Sequence, residues 1–206
     1  MSRPLNEFVI YLDAGYEINK LGAERFTQYI DLTDNHLLVA WQLSGEKVKN
    51  WTKKVSLNYF GISPESLLNE LPVRESSMHI IKNTVLTQSF YREFSLICGD
   101  QNFKLVDDSL SDEGEQESFR EHRHDQAIFS LLTYQRNIGI FLENESYFAD
   151  EWKRGTHPRM LPFAAMRNKS GVSMFSSDAK VLEQRPGFFS EIEGGIAKGS
   201  HWGDAI

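Results

Sequence analysis

The sequence predicts an α/β fold, and three observations support this prediction. The first is a set of short apolar runs, rich in β-branched and aromatic residues, that are typical of buried strands. They span residues 8–12, 36–43, 78–81 and 138–142. The second is a set of segments whose apolar residues recur at helical spacing, at 21–34, 86–97 and 124–136. The third is their order, because strands that alternate with helices are typical of layered α/β proteins.

The composition is that of one globular domain. A chain of 206 residues with 40% apolar side chains can bury a full core, so we predict a single domain over residues 1–206. The excess of acidic residues, 29 against 22 basic ones, argues against an indiscriminate nucleic-acid binder. A single cysteine, Cys98, excludes an internal disulfide.

Targeting signals are not evident. The opening residues lack a basic region followed by an uninterrupted apolar one, which is the pattern of a signal peptide. No apolar run approaches the roughly 18 to 20 residues of a membrane-spanning helix. We therefore expect a cytoplasmic protein, or one held peripherally at the inner membrane surface.

Several segments carry more specific expectations. The run Phe8–Leu12 is apolar throughout, so we expect a central strand covered on both faces. Residues 47–71 suggest a helix in two pieces, in which Ser63 caps the second and Pro64 opens it. The most polar stretch, 107–118, is predicted to be a solvated loop, and 185–206 a flexible tail.

Asp13 is the first candidate for a functional site. It follows the carboxyl end of the strand 8–12, and α/β sheets collect their ligands beyond such strand ends. Ala14 and Gly15 leave room for a ligand to approach. A second interpretation is structural, because an aspartate in this position often bonds its own turn.

The second candidate is the segment 119–132, FREHRHDQAIFSLL, which places polar groups at the start of an apolar-striped helix. These groups are the side chains of His122, Arg123, His124, Asp125 and Gln126. An acidic group in a first helical turn is also favoured by the helix dipole, so a helix start with a solvated rim is the structural alternative. The number of hydrogen-bonding groups exceeds what capping needs, which indicates a ligand site.

A metal interpretation of the same segment is weaker. His122 and His124 could both ligate zinc from an extended segment, with an oxygen from Asp125. The segment resembles the His-x-His-x-Asp-His signature of metallo-β-lactamase-like hydrolases, but the aspartate comes one residue early and no histidine follows it.

Trp41 and Lys53 are candidates for substrate contacts. An indole such as that of Trp41 could stack on a sugar face, although large aromatic residues more often belong to the core. Lys53 belongs to a basic group with Lys47, Lys49 and Lys54 that could meet a diphosphate or an anionic membrane. A solvated helix face is the alternative for these lysines.

Two segments resemble a group of bacterial and viral glycosyltransferase-like proteins. They are VIYLDAGYEIN at 9–19 and FREHRHDQAIFSLL at 119–132. Members typically show Tyr/Trp-x-Asp-Ala-Gly-Cys at a strand end and Arg-His-Asp-Gln-Ser-Ile-Phe at a helix start. The stretch 46–61 is similar to the family's Glu-Lys…Trp-Thr-Lys segment, so the resemblance covers residues 8–142. It implies a GT-A-like fold, a three-layer sandwich with a mixed central sheet that binds a nucleotide-activated sugar.

The resemblance also implies a metal at the donor diphosphate. In GT-A enzymes an Asp-x-Asp motif at a strand end holds a divalent cation, which offsets the charge of the leaving diphosphate. Asp13 matches the first carboxylate and would hold Mg²⁺ or Mn²⁺, whereas Gly15 replaces the second. His122 or His124 would contact the phosphate or the metal.

The remaining roles concern the sugar. By the same resemblance Asp125 would bond sugar hydroxyls or act as a base, and Gln126 would orient the sugar. Arg123 would anchor Asp125 or offset diphosphate charge. The expected function is transfer of a hexose from a nucleoside-diphosphate sugar to a glycan or lipid-linked acceptor.

The sequence departs from the family in two places. Tyr16 stands where the family usually has cysteine, and Asp13 comes only a dozen residues from the start. GT-A proteins usually place a nucleotide-binding region before this strand, so we expect a fold truncated at its N-terminus. The chain would then be a C-terminal piece, one product of a split gene with a second chain that supplies the missing half, the result of an incorrectly assigned start, or a degenerate protein. A non-catalytic glycan-binding or assembly subunit with a degenerate glycosyltransferase fold is the alternative function.

Overall fold

The computed structural model describes residues 4–146 and 160–165, which form a mixed α/β fold. The strands are β1 (Phe8–Leu12), β2 (Tyr16–Ile18), β3 (Leu38–Lys47), β4 (Pro72–Lys82), β5 (Ile140–Glu143) and β6 (Phe163–Ala165). The helices are α1 (Ala23–His36), α2 (Val48–Trp51), α3 (Lys54–Tyr59), α4 (Val85–Gly99) and α5 (His124–Arg136). The expected α/β class is confirmed, and α5 has the bounds that its spacing predicts.

The main sheet is mixed and has the strand order β1-β4-β3-β5. β4 pairs antiparallel with both β1 and β3, and β3 pairs parallel with β5. A second, two-stranded sheet joins β2 to β6 in antiparallel register. The longest pairings involve β3 and β4, so these two strands form the centre of the fold.

Helices cover both faces of the main sheet. Ala40 and His79 are paired across β3 and β4, so their side chains share one face, while Trp41 points to the other. The ring of Phe129 on α5 stacks on His79 with centroids 5.4 Å apart, and the ring of Tyr29 on α1 meets Trp41 edge-on at 5.1 Å. The core is therefore continuous from α1 through the sheet to α5.

The strand 8–12 forms as expected, but it is not central. β1 lies at the edge of the sheet, and Ile10 and Tyr11 are 41% and 47% exposed. The prediction that β1 is covered on both faces is wrong. A continuous apolar run is typical of a central strand, but the same residues can form an edge strand whose side chains pack locally on a single neighbour. No described strand pairs with the outer edge of β1.

The strand expected at 78–81 forms, but it is longer than predicted. β4 begins at Pro72. Its first half, PVRESS, is polar and has no strand-like pattern. The pairing with β3 is interrupted there: Ala40 lies opposite His79, but Gln42 lies opposite Arg74. Residues 75–78 thus form a bulge next to Trp41, and bulges of this kind re-aim side chains.

The stretch 47–71 is helical in shorter pieces than predicted. Ser63 and Pro64 do not begin a helix, because the side-chain amide of Asn69 donates to both their carbonyl oxygens at 2.8 and 3.1 Å and closes a turn. The following short 3-10 helix, Leu67–Glu70, begins instead at Ser66, whose hydroxyl oxygen accepts from the Leu68 amide at 3.3 Å.

The segment 107–118 contains no helix or strand, and part of it packs against α3. The carboxylate of Glu115 accepts hydrogen bonds from the backbone amides of Lys54 and Ser111 at 2.6 and 2.7 Å, and Ser111 is buried. The tail expected at 185–206 lies outside the described residues. Among the described helices, none combines the length and the apolar character that a membrane span requires.

Gly139 provides a test of the packing at the start of β5. It has a φ of +85°, and an added Cβ would lie 2.4 Å from the Leu38 Cδ2 and 2.9 Å from the Leu38 oxygen. Gly61 has a similar φ of +68° with open space around it. We expect Gly61→Ala to lower the free energy of unfolding by about 1 kcal/mol through backbone strain alone.

Gly139→Ala adds a steric clash with a buried strand, so we expect it to cost about 1–3 kcal/mol more than Gly61→Ala. Urea unfolding of both variants measures the difference. Equal losses at the two positions would show that β5 does not pack against Leu38 in this way.

Candidate functional site

A polar cleft of about 370 Å³ opens between the end of β1, the bulge of β4 and the start of α5. Three elements that are distant in the sequence therefore meet at one place. The lining residues are Tyr11, Asp13, Ser76, Ser77, Glu121, His122, Arg123, His124, Asp125 and Gln126. Both candidate segments, the end of the strand 8–12 and the start of the helix 124–136, thus contribute to one cavity.

Asp13 stands in the turn between β1 and β2, with its side chain exposed to the cleft. The turn is closed by its backbone, because the Tyr16 amide donates to the Asp13 carbonyl oxygen at 3.0 Å. The Tyr11 hydroxyl donates to the Asp13 Oδ1 at 2.9 Å. No other described group hydrogen-bonds this carboxylate, so it can accept from a ligand.

Asp125 lies in the first turn of α5, where the helix dipole favours its negative charge. Its Oδ2 accepts a hydrogen bond from the Ser76 hydroxyl at 3.2 Å, and the rest of the side chain is exposed. The pKa of Tyr11 is raised, first by its hydrogen bond to Asp13, then by burial and by the charges of Asp13 and Asp125. Both carboxylates therefore act electrostatically on the same phenol.

The bulge of β4 supplies the floor of the cleft. Ser76 and Ser77 line it, and beneath them the fully buried carboxylate of Glu75 accepts from the Ser77 hydroxyl. Glu75 also accepts from the Tyr16 hydroxyl and the Asn144 amide, both at 2.9 Å. These bonds stabilise a buried carboxylate, which would otherwise be costly to desolvate.

Arg123 and His124 form the rim at the start of α5. The Arg123 amide donates to the Trp51 oxygen at 3.0 Å, and its guanidinium lies 4.1 Å from the centre of the Trp51 ring. This stacking orients the cation beside the cleft. His124 has a φ of +48° and its Nε2 lies 3.1 Å from a carboxylate oxygen of Asp108.

His122 does not fit the role of a metal ligand. It is buried in the cleft wall, where its Nδ1 accepts from the Lys53 amide at 3.3 Å and its Nε2 bonds the Leu105 oxygen at 2.9 Å. Burial lowers its pKa to about 4. Both ring nitrogens are engaged, so neither the expected Mg²⁺ or Mn²⁺ nor the alternative zinc site gains a ligand from this residue.

The described residues also contain no group of three or more His, Cys, Asp or Glu side chains that could hold a metal ion. Of the residues expected to hold Mg²⁺ or Mn²⁺, Asp13 has a carboxylate that is open to the cleft. The cation implied by the family resemblance stays a prediction.

Trp41 and Lys53 do not line the cleft. Trp41 is fully buried between β3 and α1, so its ring has no free face for a sugar. Lys53 is also fully buried, and its ammonium donates to the Asp107 Oδ1 at 2.7 Å and to the Asp107 and Ser109 backbone oxygens. The pKa of Asp107 is lowered to about 2, first by the hydrogen bond from Lys53 and then by the hydrogen bonds from Ser109. Lys53 anchors the segment beside the cleft instead of binding a ligand.

Four lining residues were not predicted as site residues: Tyr11, Ser76, Ser77 and Glu121. Tyr11 had a signal in the sequence, because it precedes Asp13 by two positions and so shares its face of the strand. Ser76 and Ser77 had no such signal in the sequence, since a polar run gives no indication of a bulged central strand.

Comparisons of the chain with protein-family models, with curated proteins and with solved structures find no match. The function is therefore inferred from the chemistry of the cleft and of the residues that line it.

Two buried histidines give a testable pH dependence. His79 is buried under Tyr11, and burial lowers its pKa to about 4, as it does for His122. Both remain neutral in the fold while an unfolded chain would protonate them below about pH 6.5. Burial of these two neutral histidines therefore costs no stability above pH 6.5. The free energy of unfolding decreases as the pH falls from 6.5 towards 4.

Between pH 7.5 and 5 we expect each histidine to account for about 2 kcal/mol of lost unfolding free energy. Urea unfolding at the two pH values measures the loss, which should shrink in His79→Leu and in His122→Gln. His36→Gln, at an exposed histidine, serves as the control. The assignment fails if all three variants lose as much stability as the wild type.

Proposed function

We propose that this cleft is the active site of a glycosyltransferase with a GT-A-like fold, which transfers a hexose from a nucleoside-diphosphate sugar to a glycan or lipid-linked acceptor. The observation that carries the proposal is that Asp13, Asp125 and Arg123 line one open cleft. The mixed sheet with helices on both faces is compatible with such a fold.

The charges of the cleft suggest how a donor would be oriented. Carboxylates accept hydrogen bonds from sugar hydroxyls but repel phosphate, so Asp13 and Asp125 suit the sugar. Arg123 can pair with phosphate oxygens through its fork of donors, and its position over Trp51 leaves it on the rim. The diphosphate would therefore point towards Arg123 and His124, and the hexose towards the two aspartates.

The transfer itself needs a proton acceptor. The acceptor hydroxyl attacks the anomeric carbon, the bond to the diphosphate oxygen breaks, and the hydroxyl proton must leave. Asp125 is exposed and accepts one hydrogen bond, from the Ser76 hydroxyl. Its carboxylate can therefore take this proton as a general base. Gln126, next to it in the lining, can hold the sugar through its amide. Charge that develops on the leaving diphosphate is offset by Arg123.

A non-catalytic glycan-binding subunit is the second candidate. It is favoured by the engagement of both His122 ring nitrogens, which removes one expected ligand from the donor site. The remaining carboxylates, hydroxyls and amide of the cleft are sufficient to bind sugar hydroxyls. The second chain implied by the family resemblance stays a prediction.

The proposed function is tested with Asp125→Asn and Asp13→Asn. A panel of UDP- and GDP-hexoses with glycan acceptors, assayed with Mn²⁺ and with a chelator, reports release of the nucleoside diphosphate. We expect Asp125→Asn to lower kcat by about 100-fold or more, because the amide cannot accept the proton. Asp31→Asn, at an exposed aspartate of α1 outside the cleft, is the matched control.

The outcomes separate the two candidates. Turnover that Asp125→Asn leaves unchanged excludes the proposed base. Sugar binding without any turnover, lost in Asp13→Asn and Asp125→Asn but kept in Asp31→Asn, favours the binding subunit.

A further inference from the structure

One edge of the main sheet is formed by β1, the strand at which the order β1-β4-β3-β5 begins. Two hydrogen bonds show which way its backbone groups point. The Asn83 amide donates to the Glu7 oxygen at 2.7 Å, and the Asp13 amide donates to the Ser77 oxygen at 2.9 Å. In an antiparallel pair, residues that bond the neighbouring strand alternate with residues whose N–H and C=O groups point away from it.

The backbone groups of Phe8, Ile10 and Leu12 therefore point away from β4. Among the residues that the structure describes, no hydrogen bond reaches the N–H or C=O groups of these three. Ile10 is exposed, and Phe8 and Leu12 are half-buried. Donors and acceptors thus stand in a row at an open edge, and such a row is a template for an added strand.

β1 has none of the features that usually prevent strand addition. Natural edge strands are protected by charged residues such as lysine, by proline or by a bulge. The five residues of β1, FVIYL, include no charged residue and no proline, and their pairing with β4 runs in continuous register. Both the backbone and the side chains of β1 are therefore suited to an added strand.

The charges at the two ends of β1 favour a basic partner. Glu7 precedes the strand and Asp13 follows it, and both are exposed. Neither carboxylate forms an ion pair with another described residue. A second copy of the chain fits poorly, because full-length antiparallel pairing would place Glu7 of one copy opposite Asp13 of the other. Like charges that lie directly opposite each other are destabilising.

We propose that β1 is a docking edge for an extended segment of another protein, which pairs antiparallel with it and carries a basic residue opposite Glu7 and another opposite Asp13. Apolar residues of that segment lie opposite Phe8, Ile10 and Leu12, where cross-strand pairs add stability. The net charge of -7 also attracts a basic segment to this chain. The inference does not rest on the transfer reaction proposed for the cleft.

The probe is a fluorescently labelled peptide, KVTITVK, whose apolar residues match the alternation of β1 and whose lysines match its two acidic ends. The peptide EVTITVE is identical except for its acidic ends. Fluorescence anisotropy with the full chain measures the dissociation constant of each. We expect the wild type to bind KVTITVK about tenfold more tightly than EVTITVE, because both end pairs change from attraction to repulsion.

Ile10→Pro removes an N–H that faces the open edge and keeps the bonds to β4, and proline is tolerated in this orientation. We expect it to weaken KVTITVK binding by about tenfold or more, since the added strand loses a hydrogen bond. Urea unfolding checks that the variant is folded. Glu7→Lys should weaken KVTITVK binding by about fivefold and strengthen EVTITVE binding. Glu24→Lys makes the same charge change at an exposed residue of α1, and it should bind both peptides as the wild type does.

The inference is overturned if the wild type does not bind KVTITVK at millimolar concentrations, or if it binds the two peptides equally. KVTITVK binding that a folded Ile10→Pro variant retains would reject strand addition. Should that variant not fold, peptide affinities that Glu7→Lys leaves unchanged would reject the docking edge. Sedimentation of the chain alone tests a second copy as the occupant. A dimer that Ile10→Pro abolishes would assign the edge to self-association and reject the basic partner.

Discussion

The interrupted pairing of β4 is the constraint on which the cleft depends. β4 bonds to β1 on one side without interruption, whereas its pairing with β3 jumps from Ala40–His79 to Gln42–Arg74. The bulged residues 75–78 bring the Ser76 hydroxyl to Asp125 at the start of α5, and Ser77 lines the cleft beside it. A regular strand would place alternate residues under the helix and leave no polar floor between β1 and α5.

Buried and exposed charges of the site have different roles. Glu75 and Lys53 are fully buried, and each is satisfied by several hydrogen bonds from neighbouring groups. They hold the floor and the adjoining segment in place, because a buried ion without partners is destabilising. Asp13, Asp125 and Arg123 are exposed in the cleft and keep bonding capacity for a ligand. The buried, hydrogen-bonded groups thus support the exposed side chains of the cleft.

The limits of the sequence prediction are clearest at the site. Asp13 and the run 122–126 were identifiable, since strand ends and helix starts are where polar side chains converge. Trp41 and Lys53 have side chains suited to a sugar phosphate, yet burial gives both of them internal partners. Tyr11 was not identified as a lining residue because the run 8–12 was interpreted as wholly buried, although the strand lies at the edge of the sheet.

The sequence by itself determined the α/β class, the bounds of α5 and the two polar segments, because these depend on local periodicity and on the chemistry of neighbouring residues. Only the tertiary structure decided that β1 is an edge strand, that β4 bulges, and that Asp13 and Asp125 share a cleft. Strand order and register are set by contacts between residues far apart in the chain, so local sequence patterns do not predict them.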